Sequence, residues 1–307
     1  MRALLTCCVS SCVSRVAFAA MLTATSARAP LSAASAADTA GSSSPRGMVL
    51  IKGGRFMMGT DAGVHVEGPV HEVAVSTFWM DAQLVSVAQF GEFVRATGYR
   101  TQAELFAWSG VFDVNAGEWR KVGHADWRHP DGPDSTAAPE EPVVQVSWND
   151  ALAFAKWAGK RLPSEAEFEY AARGGLAAKP YSWGDELHPA GRHMANTWQG
   201  RFPERDLGED GYRGRSPVGR FPPNGFGLYD ITGNVWEWCA DWFGEQYYRT
   251  SPRVDPQGPA AGRERVIRGG SWMCSANYCQ GYRVAARNKT EPDTGLNNLG
   301  FRCARNE

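Results

Sequence analysis

Arg268-Gly-Gly-Ser-Trp-Met-Cys-Ser-Ala-Asn-Tyr-Cys-Gln-Gly-Tyr-Arg283 is the stretch on which the reading of this chain turns. Cys274 and Cys279 lie five residues apart, Gly269-Gly-Ser271 precedes them, and Tyr282 and Arg283 follow. The rest of the chain reads as a scaffold that holds this segment beside a groove. Its 34 glycines and 12 tryptophans say what kind of scaffold. Many turns and short strands are expected, with aromatic rings filling the space between irregular segments, and few helices.

Working outward, Leu299-Gly-Phe-Arg-Cys-Ala304 reads as a closing strand. On the other side, Leu228-Tyr-Asp-Ile-Thr-Gly-Asn-Val-Trp-Glu-Trp238 is compact and mixed, and follows the turn Pro222-Pro-Asn-Gly225. Two helices are well signalled upstream. Ser147-Trp-Asn-Asp150 resembles a capping box with Asp in place of Glu; Ala151, Leu152, Phe154, Ala155 and Ala158 supply the apolar face and Gly159 the stop. Pro163-Ser-Glu-Ala-Glu167 holds a full S-x-x-E box, starting a helix through Ala171 that stops at Gly174-Gly175. Its acidic first turn suits the helix dipole. Residues 99–142 show no clean period but carry Trp108, Trp119, Trp127 and the turn-rich Arg128–Ser135. Such a region is either the wall of a binding groove or a plain surface excursion. Earlier, Ser86 caps a helix with Val87, Phe90, Phe93 and Val94 on one face, ending near Gly98. His71-Glu-Val-Ala-Val-Ser-Thr-Phe78 alternates like a half-buried strand. Met48-Val-Leu-Ile51 followed by Gly53-Gly-Arg-Phe-Met-Met-Gly59 reads as a hairpin turning at the two glycines. No internal repeat appears, and residues 47–307 read as one domain.

Residues 1–46 differ. Arg2, the apolar Val16–Leu22 and Ala27-Arg-Ala29 read as a secretory signal peptide over residues 1–29, and residues 30–46 as an Ala/Ser/Thr linker. Arg15 interrupts the apolar region, so a disordered or mis-started N terminus, or a transit peptide, is the competing reading. Cys7, Cys8 and Cys12 would leave with the leader. A secretory or periplasmic location follows from the leader, a cytoplasmic one from its absence. The net charge of −1 gives no bulk attraction to nucleic acid or anionic lipid. No run of eighteen apolar residues suggests a membrane span. A monomer is expected.

Cys239, Cys274, Cys279 and Cys303 remain, and four cysteines allow three pairings. Two structural disulfides are one reading, a metal-binding thiolate pair another. Tetrahedral zinc wants four ligands and no histidine stands near, whereas thiolates select Cu(I). Asn196 with Asp210, and Asp230 with Glu237, sit in glycine-dense loops. They are candidate Ca²⁺ ligands, because irregular loops can turn carbonyls inward, or simply turn-forming residues. The six histidines show no H-E-x-x-H or H-x-x-x-H spacing, and no nucleophile elbow, P-loop or dinucleotide fingerprint appears. Glu165 and Glu167 read as helix-start residues rather than an acid/base pair.

Over residues 47–305 the chain resembles the formylglycine-generating enzymes, the sulfatase-modifying factor family. The resemblance rests on Gly53–Gly59, Trp127-Arg-His-Pro-Asp-Gly-Pro-Asp-Ser135, Pro142–Ala151 and Trp157–Glu167. It continues through Asn196-Thr-Trp-Gln-Gly200, Gly225–Trp238, Gly269-Gly-Ser-Trp-Met-Cys274, Tyr278-Cys279 and Asn298-Leu-Gly-Phe-Arg-Cys303. It implies a single α+β domain of C-type-lectin-like type with little regular structure. It implies oxidation, with O₂, of a cysteine in a C-x-P-x-R motif of an unfolded sulfatase to Cα-formylglycine. By residue matching, Cys274 and Cys279 are the catalytic, copper-binding pair, faced by Ser271 and Trp236. Asn196, Thr197, Asp210 and Tyr212 match one Ca²⁺ site; Asp230, Gly233, Val235 and Glu237 match a second.

The departures from the vertebrate pattern also carry expectations. Ala155, Ala172 and Val284 stand where that pattern has cysteines, so its two structural disulfides cannot both form. Cys303 is retained and Cys239 is extra, which implies a Cys239–Cys303 disulfide and a free Cys274/Cys279 pair. Asp230 replaces an Asn and keeps an oxygen ligand. Phe106-Ala-Trp-Ser109 departs from the vertebrate substrate groove, so no partner for a substrate arginine is assigned. The rival class is a non-catalytic, lectin-like paralogue that binds sulfatase or the active enzyme. A third, an iron-dependent sulfoxide-forming relative, needs a His-rich metal site that is not visible.

Overall fold

The computed structural model describes residues 45–307, and the expected leader and most of the linker lie outside the described residues. In chain order the strands and helices are β1 (Met48–Ile51), β2 (Gly54–Met58), β3 (His71–Val75), β4 (Phe78–Asp81), α1 (Val87–Thr97), α2 (Gln102–Phe106), β5 (Trp108–Asp113), β6 (Glu118–Gly123), α3 (Trp148–Trp157), α4 (Glu165–Arg173), β7 (Trp236–Trp242), β8 (Arg265–Arg268), β9 (Arg287–Thr290), β10 (Leu299–Gly300) and β11 (Ala304–Asn306). Among the described residues the strands form a four-stranded sheet in the order β10-β7-β8-β9, a three-stranded sheet β1-β4-β11, and the pairs β2-β3 and β5-β6. No described helix is long and apolar enough to cross a membrane. The α+β class and the scarcity of helix agree with the expectation.

Helix starts follow the local chemistry closely. Ser86, Ser147 and Ser164 each accept from the backbone N–H three residues on, and the side chains of Gln89, Asp150 and Glu167 reach back to the cap. Each box satisfies two of the backbone donors that a helix start leaves unpaired. The Ser164 box is doubly anchored, because Glu167 also pairs with Arg161 at 2.7 Å. Ser164→Ala is expected to cost about 1 kcal/mol, seen as a lower denaturation midpoint with an unchanged m-value.

Two expectations fail for reasons of tertiary structure. Met48–Gly59 is not a hairpin: β1 pairs with β4 and β2 with β3, in different sheets. Gly53 carries the chain past the β3–β4 connection, where a Cβ would lie 2.7 Å from the Thr77 nitrogen. The two glycines therefore permit a close crossing rather than a reversal. Residues 99–142 are also more regular than they read. Thr101 and Glu104 form a further capping box at α2, and β5 and β6 pair antiparallel. The expected closing strand is split, with Phe301–Cys303 outside β10 and β11 and bonded instead to the backbone of Val85 and Asp81.

The core has two main parts. One gathers Phe90, Phe93, Phe154, Trp236, Trp238, Phe301 and Cys303; the other gathers Phe78, Met80, Phe168, Leu228, Val266 and Cys239. Strand β7 lies between them, and its side chains alternate in direction. Trp238 therefore enters the first part and Cys239 the second. That alternation rules out the expected Cys239–Cys303 disulfide. Both cysteines are free, fully buried thiols, and burial holds each well above the usual thiol range.

Candidate active site

One end of the four-stranded sheet collects the functional residues. β7 and β8 run antiparallel with Glu237 opposite Arg268, and β10 runs parallel to β7 with Leu299 opposite Trp236. The start of β7, the end of β8 and the start of β10 thus meet at one edge. Trp236 lies at the first, Ser271 just beyond the second, and Asn298 just before the third. The chain leaves β8 through Gly269 and Gly270, with φ of +89° and +75°. A Cβ on Gly270 would lie 2.5 Å from the Tyr282 nitrogen, so only glycine lets the two limbs of the segment touch.

Cys274 and Cys279 are joined to each other as a disulfide, with Cα atoms 4.9 Å apart. The expected free pair is corrected to a bonded one, but the two sulfurs do share one place. Cys274 is fully buried and Cys279 half-buried, so the pair is open from one side. The Ser271 N–H points at the Cys274 sulfur at 3.4 Å, and the Asn298 amide donates to the Ser271 hydroxyl at 3.1 Å. Gly281 is tightly packed: a Cβ there would lie 2.6 Å from the Trp236 ring and 2.9 Å from the Cys274 sulfur. The Trp236 ring therefore lies on the Cys274 side of the pair, across Gly281. Tyr282 behind it is buried, and burial pushes its phenol up to about 12. Arg283 ties the downstream limb to Glu67 through two bonds of 2.8 Å.

Asn298 and Gly281 escaped the sequence reading of roles. The signal for Gly281 was a glycine two residues after a cysteine, which is too common to weigh. Asn298 stood in a quoted motif, but nothing local marks which side chain its amide reaches. Its Oδ1 is buried and has no hydrogen-bond partner among the described residues.

The loops expected to bind Ca²⁺ brace this site directly. The Trp198 N–H donates to the Cys274 carbonyl, Trp272 N–H to Asn234, and Gly233 N–H to Gly269, all at 2.8–3.0 Å. The two loops also touch each other: Asn234 N–H donates to the Asn196 carbonyl at 2.9 Å. In the first loop the Asp210 carboxylate and the Thr197 carbonyl converge on one point, where both accept from the Gln199 amide. The Tyr212 N–H also donates to Asp210, at 2.9 Å. In the second, Asp230 is 5% exposed and its Oδ1 is buried without a hydrogen-bond partner among the described residues. Glu237 is buried beside it, its carboxyl pushed up to about 7 by burial, with the Asp230 charge adding to the effect and Arg302 opposing it. Gly233 and Val235 lie on the backbone between them, and Gly233 at φ +86° curls the chain there. An unpaired, buried carboxylate oxygen and converging oxygens are the donor set a hard cation takes, so both loops fit Ca²⁺. Among the described residues, no three His, Cys, Asp or Glu side chains cluster as a metal site. The cysteine pair, once reduced, offers two soft sulfurs at one point, which fits monovalent copper.

Comparison with known proteins places the geometry in a lineage. The model of the sulfatase-modifying factor enzyme 1-like domain matches residues 33–307. A formylglycine-generating enzyme of Streptomyces coelicolor is 50% identical over 301 residues, covering 92% of this chain and 96% of that one. An inactive Cα-formylglycine-generating enzyme 2 of Bos taurus is 46% identical, covering 84% and 87% respectively. Among solved structures, PvdO from Pseudomonas aeruginosa superposes with a TM-score of 0.66 at 32% identity, covering 85% of this chain and 94% of its own. On the family match across most of the chain and the identities that accompany it, this protein belongs to the formylglycine-generating enzyme, or sulfatase-modifying factor, family.

Proposed function

We propose that this protein is a copper-dependent oxidase that converts the cysteine of a C-x-P-x-R motif in an unfolded sulfatase to Cα-formylglycine, using O₂. The observation that carries this reading is the meeting of Cys274 and Cys279 beside Ser271 and Trp236 at one open edge of the sheet. Reduction of the disulfide frees both sulfurs to act as the copper ligands. Cu(I), when bound, supplies the electron transfer that couples thiol oxidation to O₂.

The chain's own residues do the rest. Buried Cys274 holds its place while half-buried Cys279 faces the incoming substrate thiol. The Ser271 N–H stabilises negative charge on the Cys274 sulfur. Trp236 and the neutral Tyr282 keep water from that side. The substrate cysteine would lose two electrons and two protons to become a thioaldehyde, O₂ would take up both and be reduced to the hydrogen peroxide level, and water would then add to the thioaldehyde carbon and expel hydrogen sulfide, leaving the aldehyde. Asn196, Thr197, Asp210 and Tyr212 would hold one Ca²⁺, and Asp230, Gly233, Val235 and Glu237 the other. Both loops hydrogen-bond to the cysteine segment, so ions there would stiffen it rather than react. The substrate must be extended, and the stacked Phe202 and Tyr278 rings, 4.2 Å apart, offer its proline an aromatic face. A secretory or periplasmic location is part of the proposal, since a disulfide suits an oxidising compartment.

The similarity to the inactive bovine paralogue keeps a second reading, a binder without turnover. The test is to incubate the reduced, copper-loaded protein with a C-x-P-x-R peptide in air and follow the peptide mass. Cysteine-to-aldehyde conversion supports the oxidase; an unchanged peptide that still binds favours the paralogue. Gly281→Ala is expected to lower conversion by on the order of 100-fold, because the added methyl moves the Trp236 wall or the Cys274 sulfur. Peptide conversion measured beside a melting curve checks this: the overpacking is expected to cost about 1–3 kcal/mol and so lower the melting temperature, while the variant stays folded at the assay temperature.

A further inference from the structure

We propose that Trp108 is a specificity-determining residue of this protein: its indole face takes the guanidinium of the substrate arginine in the C-x-P-x-R motif. The identity of the occupant rests on the oxidase reading, and the seat rests on ring and strand geometry. Leu105 and Phe106, at the end of α2, are 58% and 44% exposed. The Phe106 ring stacks on Trp108 with centroids 6.2 Å apart. Adjoining exposed apolar side chains mark a binding surface, as scattered single ones do not. The Trp108 ring already holds a cation: the Lys121 ammonium, from the facing strand β6, stands 4.0 Å from its centroid. Lys121 is exposed, so it is free to swing into solvent. A guanidinium is planar and less strongly hydrated than an ammonium, and it stacks better on an indole, so the substrate arginine displaces the lysine.

The position of the ring fits an extended substrate. Asn297 holds the other end of β5: its Oδ1 accepts from the Phe112 N–H at 3.1 Å and its Nδ2 donates to the Phe112 carbonyl at 3.5 Å. The next residue, Asn298, donates to Ser271, whose N–H points at the Cys274 sulfur. The Phe112 ring also stacks on Phe202, which stacks on Tyr278 beside Cys279. Phe112 therefore marks the cysteine end of β5, and Trp108 lies four residues from it along the strand, about 13 Å. The arginine of C-x-P-x-R follows the cysteine by four residues, the same span of about 13 Å in an extended chain. The carboxylates of α2, β5 and β6 are already engaged: Glu104 pairs with Arg128, and Asp113 and Glu118 pair with Arg120. The indole face is thus the seat these elements offer a cation.

The test uses the full chain and labelled peptides of the motif with serine in place of the cysteine, so that binding is read without turnover. One peptide ends in arginine, the other in citrulline, which keeps the shape and loses the charge. By fluorescence anisotropy the parent protein is expected to prefer arginine about fivefold. Trp108→Ala should bring that ratio close to one, Trp108→Phe should keep part of it, and Lys121→Gln should raise it about twofold by removing the competing ammonium. An arginine preference that survives in Trp108→Ala, or is missing from the parent, overturns the proposal, as does the absence of peptide binding. Circular dichroism checks each fold. Should Trp108→Ala unfold, the exposed Lys121 carries the test, and a ratio that does not rise in Lys121→Gln overturns the seat. Cysteine peptides given to the reduced, copper-loaded protein separate the two readings. Conversion with an arginine preference independent of Trp108 sinks the seat alone; a Trp108-dependent preference without conversion sinks the oxidase alone.

Discussion

Cys279→Ser and Cys274→Ser are each expected to abolish conversion of a C-x-P-x-R peptide, a loss of about 1,000-fold or more. In the proposed reaction the two sulfurs, which meet at one point, would act as one unit, so removing either would leave a seat that a soft ion does not occupy. The double variant should be no slower than either single one, because groups that act together are not additive. Single-turnover conversion and copper stoichiometry, measured together, check this. Retained conversion in Cys279→Ser would remove the paired-sulfur site from the mechanism. The fold should survive: the disulfide closes so short a loop that its loss costs about 2 kcal/mol at most, and under reducing conditions parent and variants should melt alike.

Arg268→Ala is expected to destabilise the protein by about 3–5 kcal/mol, the cost of breaking a buried ion pair by removing one partner. Arg268 is 0% exposed. Its guanidinium reaches Glu169 at 2.6 Å, Glu165 at 3.2 Å, and the carbonyls of Val284 and Ala285 at 2.8 and 3.4 Å. Burial alone would push the Glu169 carboxyl up, but Arg268 and Arg173 outweigh it and hold the group below its usual value. The stability this lends is present above the unfolded carboxylate pKa of about 4.3 and is lost as pH falls. Arg268 also stands immediately before Gly269 and holds the chain just beyond Arg283, so it clamps both ends of the cysteine segment. Urea denaturation should show a lower midpoint with an unchanged slope. Arg268→Lys should recover only part of the loss, since one ammonium cannot reach two carboxylates and two carbonyls. A loss under 1 kcal/mol would mean that Arg173 and Arg287 neutralise Glu169 and Glu165 unaided.

The helix starts were legible because a cap is a local device: Ser86, Ser147 and Ser164 each needed only a partner three residues away. Thr101 obeys the same rule and was missed because its helix is five residues long, too short to show an apolar period. The strand at Met48–Ile51 was legible, but its partner was not. Pairing with β4 is a contact across some thirty residues, and the glycines that look like a turn serve a crossing.

By itself the sequence determined the family, the α+β class with few helices, and the identity of the cysteine segment. These depend on residue types at short spacing. Only the tertiary structure decided which cysteines meet. Cys239 and Cys303 fall in separate parts of the core because neighbouring side chains on β7 point opposite ways, whereas Cys274 and Cys279 meet because glycines at 269, 270 and 281 let two limbs of one segment touch. Such placements depend on direction and close approach in three dimensions, and neither is written in the spacing of residues along the chain.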